Sequence, residues 1–188
     1  VQYLTAIGTA HVQRRLKTDS ITIVTGGDAG SAEGDFASCM IWSSRPKAEL
    51  PILMTVQNNT WGISTSYKDQ HGEANVADRG KVFGIRTRVI DGNDPIESYI
   101  ALKEEMTYIR KNRRPVLLEA KVSRLYGHSS ATGANLIKDE DCCLDKFQAL
   151  LLKNDSLKDK DMQALRAEYE QEAQAAQEKV RGEPVPSA

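Results

Sequence analysis

Chemistry in this sequence concentrates first in Thr25-Gly26-Gly27-Asp28-Ala29-Gly30-Ser31-Ala32-Glu33-Gly34. Glycines let a backbone approach an anion closely, and a helix N-terminus offers free N–H groups and a positive dipole end. Those types and that spacing describe a diphosphate cradle. No Gly-Lys-Ser/Thr follows, so the segment is not a Walker loop, and Gly27, Gly30 and Gly34 are wrongly spaced for the dinucleotide pattern. Asp28 is the unusual residue. A carboxylate beside phosphate is repulsive unless a cation lies between them, which points to a metal–diphosphate ligand with Asp28 as a hard oxygen donor. The plainer alternative is that Asp28 caps a helix and the glycines only turn the chain.

A second segment, Gln57-Asn58-Asn59-Thr60-Trp61-Gly62-Ile63-Ser64-Thr65, follows an apolar run directly. An Asn side-chain oxygen and a backbone carbonyl are good neutral partners for magnesium, although paired Asn residues also make ordinary turns. A third is Leu125-Tyr126-Gly127-His128-Ser129-Ser130. A lone loop histidine is usually unremarkable, but a titrating imidazole at a ligand edge can move protons. His11 and His71 read as structural or surface residues.

Alternating elements must position these segments. Residues 2–17 read as an amphipathic helix with Leu4, Ile7, His11 and Leu16 near one face. Buried strands are expected at 21–25, 52–56, 85–90 and 116–122, with helices at 33–42, 76–83 and 96–112. Asp91-Gly92-Asn93-Asp94-Pro95 is turn chemistry at a helix start. Strands alternating with helices predict an α/β fold, a parallel sheet with helices on both faces. Ligands bind outside the carboxyl ends of such strands, so 26–34, 57–64, 91–94 and 126–132 are expected along one edge. The reading divides the chain into an α/β domain over 1–150, a helical extension over 151–181 and a linker or terminus over 182–188. In the extension, Met162, Leu165, Tyr169, Ala173, Ala176 and Val180 form one narrow apolar stripe.

Bulk properties narrow the classes. The 188 residues carry 25 basic and 26 acidic side chains, a net charge of −1, which gives no electrostatic footprint for nucleic acid or an anionic membrane. No apolar run approaches the roughly 20 residues that span a bilayer, and no secretory leader is visible. Three cysteines, two of them adjacent, make neither a disulfide framework nor a zinc site, so a reducing compartment is expected. The start at Val1 reads as a processed end or as a piece of something longer.

A strand ending in Gly-Asp, a helix, then a strand ending in Asn-Asn is the thiamine-diphosphate signature. With it the sequence resembles the α subunits of branched-chain 2-oxo-acid and pyruvate dehydrogenases over almost all of residues 1–150. Gln2-Tyr3-Leu4-Thr5-Ala6-Ile7-Gly8, Glu33-Gly34-Asp35, Asn58 through Thr65 and Asp91-Gly92-Asn93-Asp94 carry that resemblance. It implies the pyrophosphate-type domain of the thiamine-diphosphate-binding fold, lacking its N-terminal part. It implies magnesium bound by Asp28, Asn59 and the Trp61 carbonyl, diphosphate lined by the backbone of Gly27, Ala29 and Gly30, and Ile63 near the aminopyrimidine or the central region of the cofactor. His128 would assist acyl transfer to a lipoyl group. Gln57 stands where branched-chain forms often have arginine, and Ala131-Thr132-Gly133-Ala134-Asn135 where the family has an acidic pair.

The expected function is therefore one half of a decarboxylating component acting on a 2-oxo acid and inactive without its partner. That partner is a β subunit or β domain, in a heterotetramer or a dimer of fused chains, which Glu183-Pro184-Val185-Pro186 resembles at its junction. A lipoyl acyltransferase would take the acyl group. The implied location is cytoplasmic, or the mitochondrial matrix in a eukaryote. Rival readings are an acetoin-type dehydrogenase with the same site, a catalytically silent α/β scaffold, and an interaction module centred on the 156–181 helix.

Overall fold

A computed structural model of the protein describes residues 2–128 and 140–185. The expectations for Ser129 through Asn135 and for Pro186-Ser187-Ala188 lie outside the described residues. Two compact units are present, Val1–Cys143 and Leu144–Ala188.

The first unit begins with α1 (Gln2–Arg15), β1 (Thr22–Gly27), a 3-10 turn (Ala29–Ala32) and α2 (Gly34–Ser43). Then come β2 (Ile52–Asn58), the two-residue strands β3 (Trp61–Gly62) and β4 (Thr65–Ser66), and the short helices α3 (Tyr67–Gln70) and α4 (Asp78–Val82). β5 (Arg86–Asp91), α5 (Pro95–Asn112) and β6 (Val116–Lys121) complete it. Four strands form an all-parallel sheet in the order β1-β2-β6-β5. The first two crossovers run in one direction along the sheet and the last runs back. Because such crossovers are right-handed, the reversal moves the connecting helix to the opposite face.

Side-chain alternation follows from that. Ile52, Met54 and Val56 face the core shared with α1 and α2, whereas Leu53 joins Ile90, Ala101, Ile109, Val116 and Leu118 on the α5 side. Helices thus flank both faces as expected, though Ile23 on the edge strand β1 stays 51% exposed. Continuous burial from Ile52 to Val56 and from Val116 to Ala120 is the apolar run of a parallel sheet.

The buried face of α1 differs from the expected one. Ile7 is buried as expected, but Leu4 and Leu16 are exposed, and the rest of the buried face is Tyr3, Ala6 and Ala10. Small alanines let the backbones approach, and the Tyr3 ring meets Phe36 edge-on at 5.0 Å. Asp94 caps α5 by accepting from Ile96 N and Glu97 N, with Pro95 in the first turn.

The second unit holds α6, which starts at Cys143 and runs to Lys153, and α7 (Asp159–Gly182). Neither helix buries a residue, and Leu165, Tyr169 and Val180 of the apolar stripe are exposed. The three cysteines are free. Among the described residues no helix is long and apolar enough to cross a membrane.

Candidate metal and diphosphate site

Parallel register sets the ends of the strands level: Gly27 pairs with Gln57, and Asn58 and Asp91 both pair with Lys121. The segments after β1, β2, β5 and β6 therefore leave the sheet along one edge. Asn93 draws two of them together, donating to Ser123 Oγ at 2.9 Å and accepting from Ser123 N at 3.1 Å.

Past Gly27 the chain does not enter a long helix directly. It makes the 3-10 turn, and α2 starts only after Glu33, whose extended backbone breaks the path. The glycine-rich turn expected before a helix at 33–42 is thus a 3-10 turn, and the helix follows at Gly34. Asp28 makes no side-chain cap hydrogen bond. The helix-cap alternative for Asp28 therefore fails.

Asp28 is 1% exposed, and its Oδ2 has no hydrogen-bond partner among the described residues. Burial pushes its carboxyl above the usual value, opposed by backbone N–H groups of Asp28, Asn59 and Ala29 and by the nearby His71. A buried carboxylate with a bare oxygen calls for a proton or a cation. The Asn59 backbone thus lies beside the Asp28 carboxyl.

Adjacent asparagines divide two tasks. Asn58 is buried and donates to Glu119 Oε1 at 2.7 Å, while its Oδ1 accepts from Thr60 N at 2.9 Å. Asn59 Oδ1 accepts from Trp61 N at 3.0 Å and keeps a second lone pair for a metal. Asn58 anchors the loop, and Asn59 presents it. The chain then forms a hairpin, Trp61 opposite Ser66 and Gly62 opposite Thr65. Thr60 and Ile63 both adopt positive φ, 65° and 58°. For β-branched residues that conformation is strained and persists only when its surroundings enforce it. Tyr67 N holds the Thr60 carbonyl at 2.8 Å, and Arg124 Nη1 holds that of Ile63 at 2.7 Å. Gly62 is required by contact: a Cβ there would stand 2.6 Å from Ala29 Cβ, so hairpin and cradle are packed together.

Gly27 and Gly30 are exposed and Ala29 half-buried, leaving their backbone open to a ligand. Ile63 is 57% exposed and Trp61 half-buried. His128 is exposed. It lies in the segment after β6 that also carries Arg124, and Arg124 reaches the hairpin. No group of three or more His, Cys, Asp or Glu that could hold a metal ion occurs among the described residues. A site built from one carboxylate, one amide and one carbonyl would not form such a cluster.

Sequence reasoning missed several members of this edge. Glu119 is fully buried and accepts from Asn58, Ala77 N at 2.8 Å and Lys121. A lone charge within Val116-Leu117-Leu118-Glu119-Ala120 was its visible signal. His71, expected to be structural or at the surface, is 8% exposed and stacks on Tyr67 with ring centroids 4.3 Å apart. Arg79 binds Glu73 at 2.6 Å and donates to Ser31 O at 2.6 Å, fastening α4 to the cradle turn.

The model of the dehydrogenase E1 component family matches residues 1–188. The pyruvate dehydrogenase E1 component subunit alpha of Acholeplasma laidlawii is 36% identical over 126 residues, covering 67% of this chain and 36% of the relative. The 2-oxoisovalerate dehydrogenase subunit alpha of Bacillus subtilis (strain 168) is 35% identical over 125 residues, 66% of this chain and 37% of the relative. The mitochondrial 2-oxoisovalerate dehydrogenase subunit alpha 2 of Arabidopsis thaliana is 33% identical over 126 residues, 67% of this chain and 26% of the relative. The chain thus spans between 26% and 37% of the length of these curated relatives. A match along the whole chain, on a parallel sheet that brings Asp28 and Asn59 together, establishes that the chain belongs to the dehydrogenase E1 component family.

Proposed function

We propose that this chain supplies the magnesium- and diphosphate-binding half of a thiamine-diphosphate-dependent 2-oxo-acid dehydrogenase. One observation carries the reading: the Asp28 carboxylate is buried beside Asn59 with an unpartnered oxygen, at the strand edge where the cradle turn and the hairpin meet. That donor set fits magnesium, a hard cation that takes carboxylate, amide and carbonyl oxygens and keeps some of its waters. Asp28, Asn59 and the Trp61 carbonyl would hold the metal, and the backbone of Gly27, Ala29 and Gly30 would face the diphosphate.

Bound thiamine diphosphate would supply the carbanion chemistry that decarboxylates a 2-oxo acid. This chain's residues bind and orient. Asp28 and Asn59 fix the metal, and with it the diphosphate end. Ile63, held in its strained conformation by Arg124, would present a rigid apolar surface to the aminopyrimidine or the central region of the cofactor. His128 stands ready to hold or donate a proton at the reacting end during transfer to a lipoyl group. Printed names of the relatives, pyruvate and 2-oxoisovalerate dehydrogenase, support a 2-oxo acid as substrate. A β subunit or β domain would complete the site, and a lipoyl acyltransferase would accept the acyl group.

The test is a titration of magnesium and thiamine diphosphate into the assembled enzyme, followed by Trp61 fluorescence. Saturable quenching, abolished by a chelator and by Asn59→Ala, is the expected result. No response from an assembly containing the complementary domain would sink the reading and leave a silent scaffold.

A further inference from the structure

Buried polar atoms that lack hydrogen-bond partners among the described residues include Asp28 Oδ2, Tyr67 Oη and His71 Nε2 at this edge. Each such atom in a folded protein carries a desolvation cost that normally selects for a partner. Asp28 has been assigned to the metal. The other two lie on and just after α3, which packs against the cradle turn and begins directly beyond the hairpin. The His71 side chain is fully buried, and its ring is fixed on Tyr67. Asp28 also lies close enough to Tyr67 to contribute to raising its hydroxyl.

The hydrogen bonds of His71 decide what its free nitrogen can do. Nδ1 lies 3.1 Å from Glu73 Oε1 and 3.0 Å from Arg79 Nη2. Arg79 already spends Nη2 on Glu73 at 2.6 Å, and a carboxylate is a stronger acceptor than an imidazole nitrogen. In the neutral ring Nδ1 therefore carries the proton and donates it to Glu73. Nε2 is left with a lone pair and must accept a hydrogen. Burial first, then the charges of Glu73 and Glu119, push the Tyr67 hydroxyl up to about 12, so it remains protonated and can both donate and accept. Among the described residues nothing donates to Nε2. A water bound to a divalent cation is a strong donor, and magnesium retains several waters in its protein sites.

We propose that His71 and Tyr67 are positioning residues that hold water molecules of the Asp28-bound metal, His71 Nε2 by accepting and Tyr67 Oη by donating or accepting. The assignment rests on the metal–diphosphate reading above. Glu73 and Arg79 then have a defined task. Glu73 fixes the imidazole tautomer, and Arg79 ties that pair to the cradle turn at Ser31 O. Outer-sphere partners of this kind orient a metal's ligands, and losing one costs roughly 10–100-fold in affinity.

The experiment uses the full-length enzyme with its complementary subunit or domain. Manganese is titrated in the presence of thiamine diphosphate, with free Mn2+ read by electron paramagnetic resonance, alongside the melting temperature of the metal-free protein. Tyr67→Phe keeps the ring and removes only the buried hydroxyl. His71→Phe keeps the stack and removes both nitrogens. Both variants are expected to weaken Mn2+ binding about 10–100-fold. Tyr67→Phe should leave the metal-free melting temperature unchanged or raise it, because an unpartnered buried hydroxyl is gone. A merely structural tyrosine would instead lose stability and keep its metal affinity. If wild type binds Mn2+, Asp28→Asn does not, and both phenylalanine variants match wild type, the water-holding role fails while the site stands. If wild type itself binds no Mn2+ with thiamine diphosphate, the site and the proposal fall together.

Discussion

The two edges of the same sheet are built to opposite rules. At the amino ends of the strands, charged groups are paired. Fully buried Glu105 accepts from Arg86 at 2.6 and 3.1 Å and lies 3.4 Å from Arg88, and the Arg86 guanidinium also stacks 4.7 Å over Tyr108. Arg114 meets Glu49 at 3.1 Å, and Arg113 donates to the carbonyls of Asp19 and Ser20. At the carboxyl ends, polar atoms of Asp28, Tyr67 and His71 are buried without partners, and Thr60 and Ile63 sit in strained backbone conformations. One edge spends its polar groups on itself and holds the strands. The other keeps unsatisfied groups that only a ligand can satisfy, so it should be less stable alone and more stable loaded.

The contrast breaks first at Asp28. Asp28→Asn should lower magnesium affinity, measured by titration calorimetry with thiamine diphosphate present, by roughly 100-fold or more, since even outer-shell losses reach that range. It should leave the metal-free melting temperature equal or higher, because a desolvated charge has been removed. A parallel loss of stability would make the two edges alike. Glu105→Leu should do the reverse. Losing its charge-assisted hydrogen bonds should cost about 2–3 kcal/mol in urea unfolding, while magnesium affinity stays at the wild-type value. The remaining arginines reach solvent, which limits the cost to that range rather than that of an unpaired buried charge.

How much of this was legible depended on whether the signal was local. Three of the four main strands show in the sequence because β-branched, apolar runs end at Gly26-Gly27, Asn58-Asn59 and Asp91-Gly92, and the fourth because an apolar run follows Pro115. Asp28 and Asn59 stood out by type and position. The buried face of α1 was misread because Leu4 and Leu16 mark a regular apolar spacing, whereas packing selected the small stripe around Ala6 and Ala10. β3 and β4 are too short for any periodicity. His71 sits between Gln70 and Gly72, which look like surface, and its burial comes from Tyr67 and from contacts distant in sequence. Leu144, Phe147 and Leu151 carry the helical spacing of α6, which the sequence reading left unassigned.

Gly62→Ala sharpens the comparison at the join between hairpin and cradle. The new methyl group would stand 2.6 Å from Ala29 Cβ and 2.5 Å from Gln70 Nε2. Gln70 is half-buried and can move, but Ala29 belongs to the turn that must face the diphosphate. The expected cost is about 1–3 kcal/mol of stability, as for other overpacked sites, together with weaker cofactor binding. An equivalent loss of stability without any change in binding would show that hairpin and cradle are not mechanically joined.

The smallest expected effect is a pH dependence. Burial raises the Asp28 carboxyl in the folded protein above its ordinary 3.8, so the native state keeps that proton to higher pH than the unfolded chain does. Between those two values the native state binds more protons, and stability falls as pH rises. Below the ordinary value the penalty is absent; above the raised value it is complete. Other carboxylates titrate in the same range, Glu73 in the opposite sense because its own backbone hydrogen bond and Arg79 outweigh its desolvation. The informative quantity is therefore the difference between wild type and Asp28→Asn in metal-free thermal unfolding from pH 4 upward. The wild type should lose stability relative to the variant as pH rises, and saturating magnesium with thiamine diphosphate should reverse that order by binding the ionised carboxylate. A difference that stays flat with pH would mean that Asp28 already has a compensating partner, and the carboxyl edge would then be as self-sufficient as the amino edge.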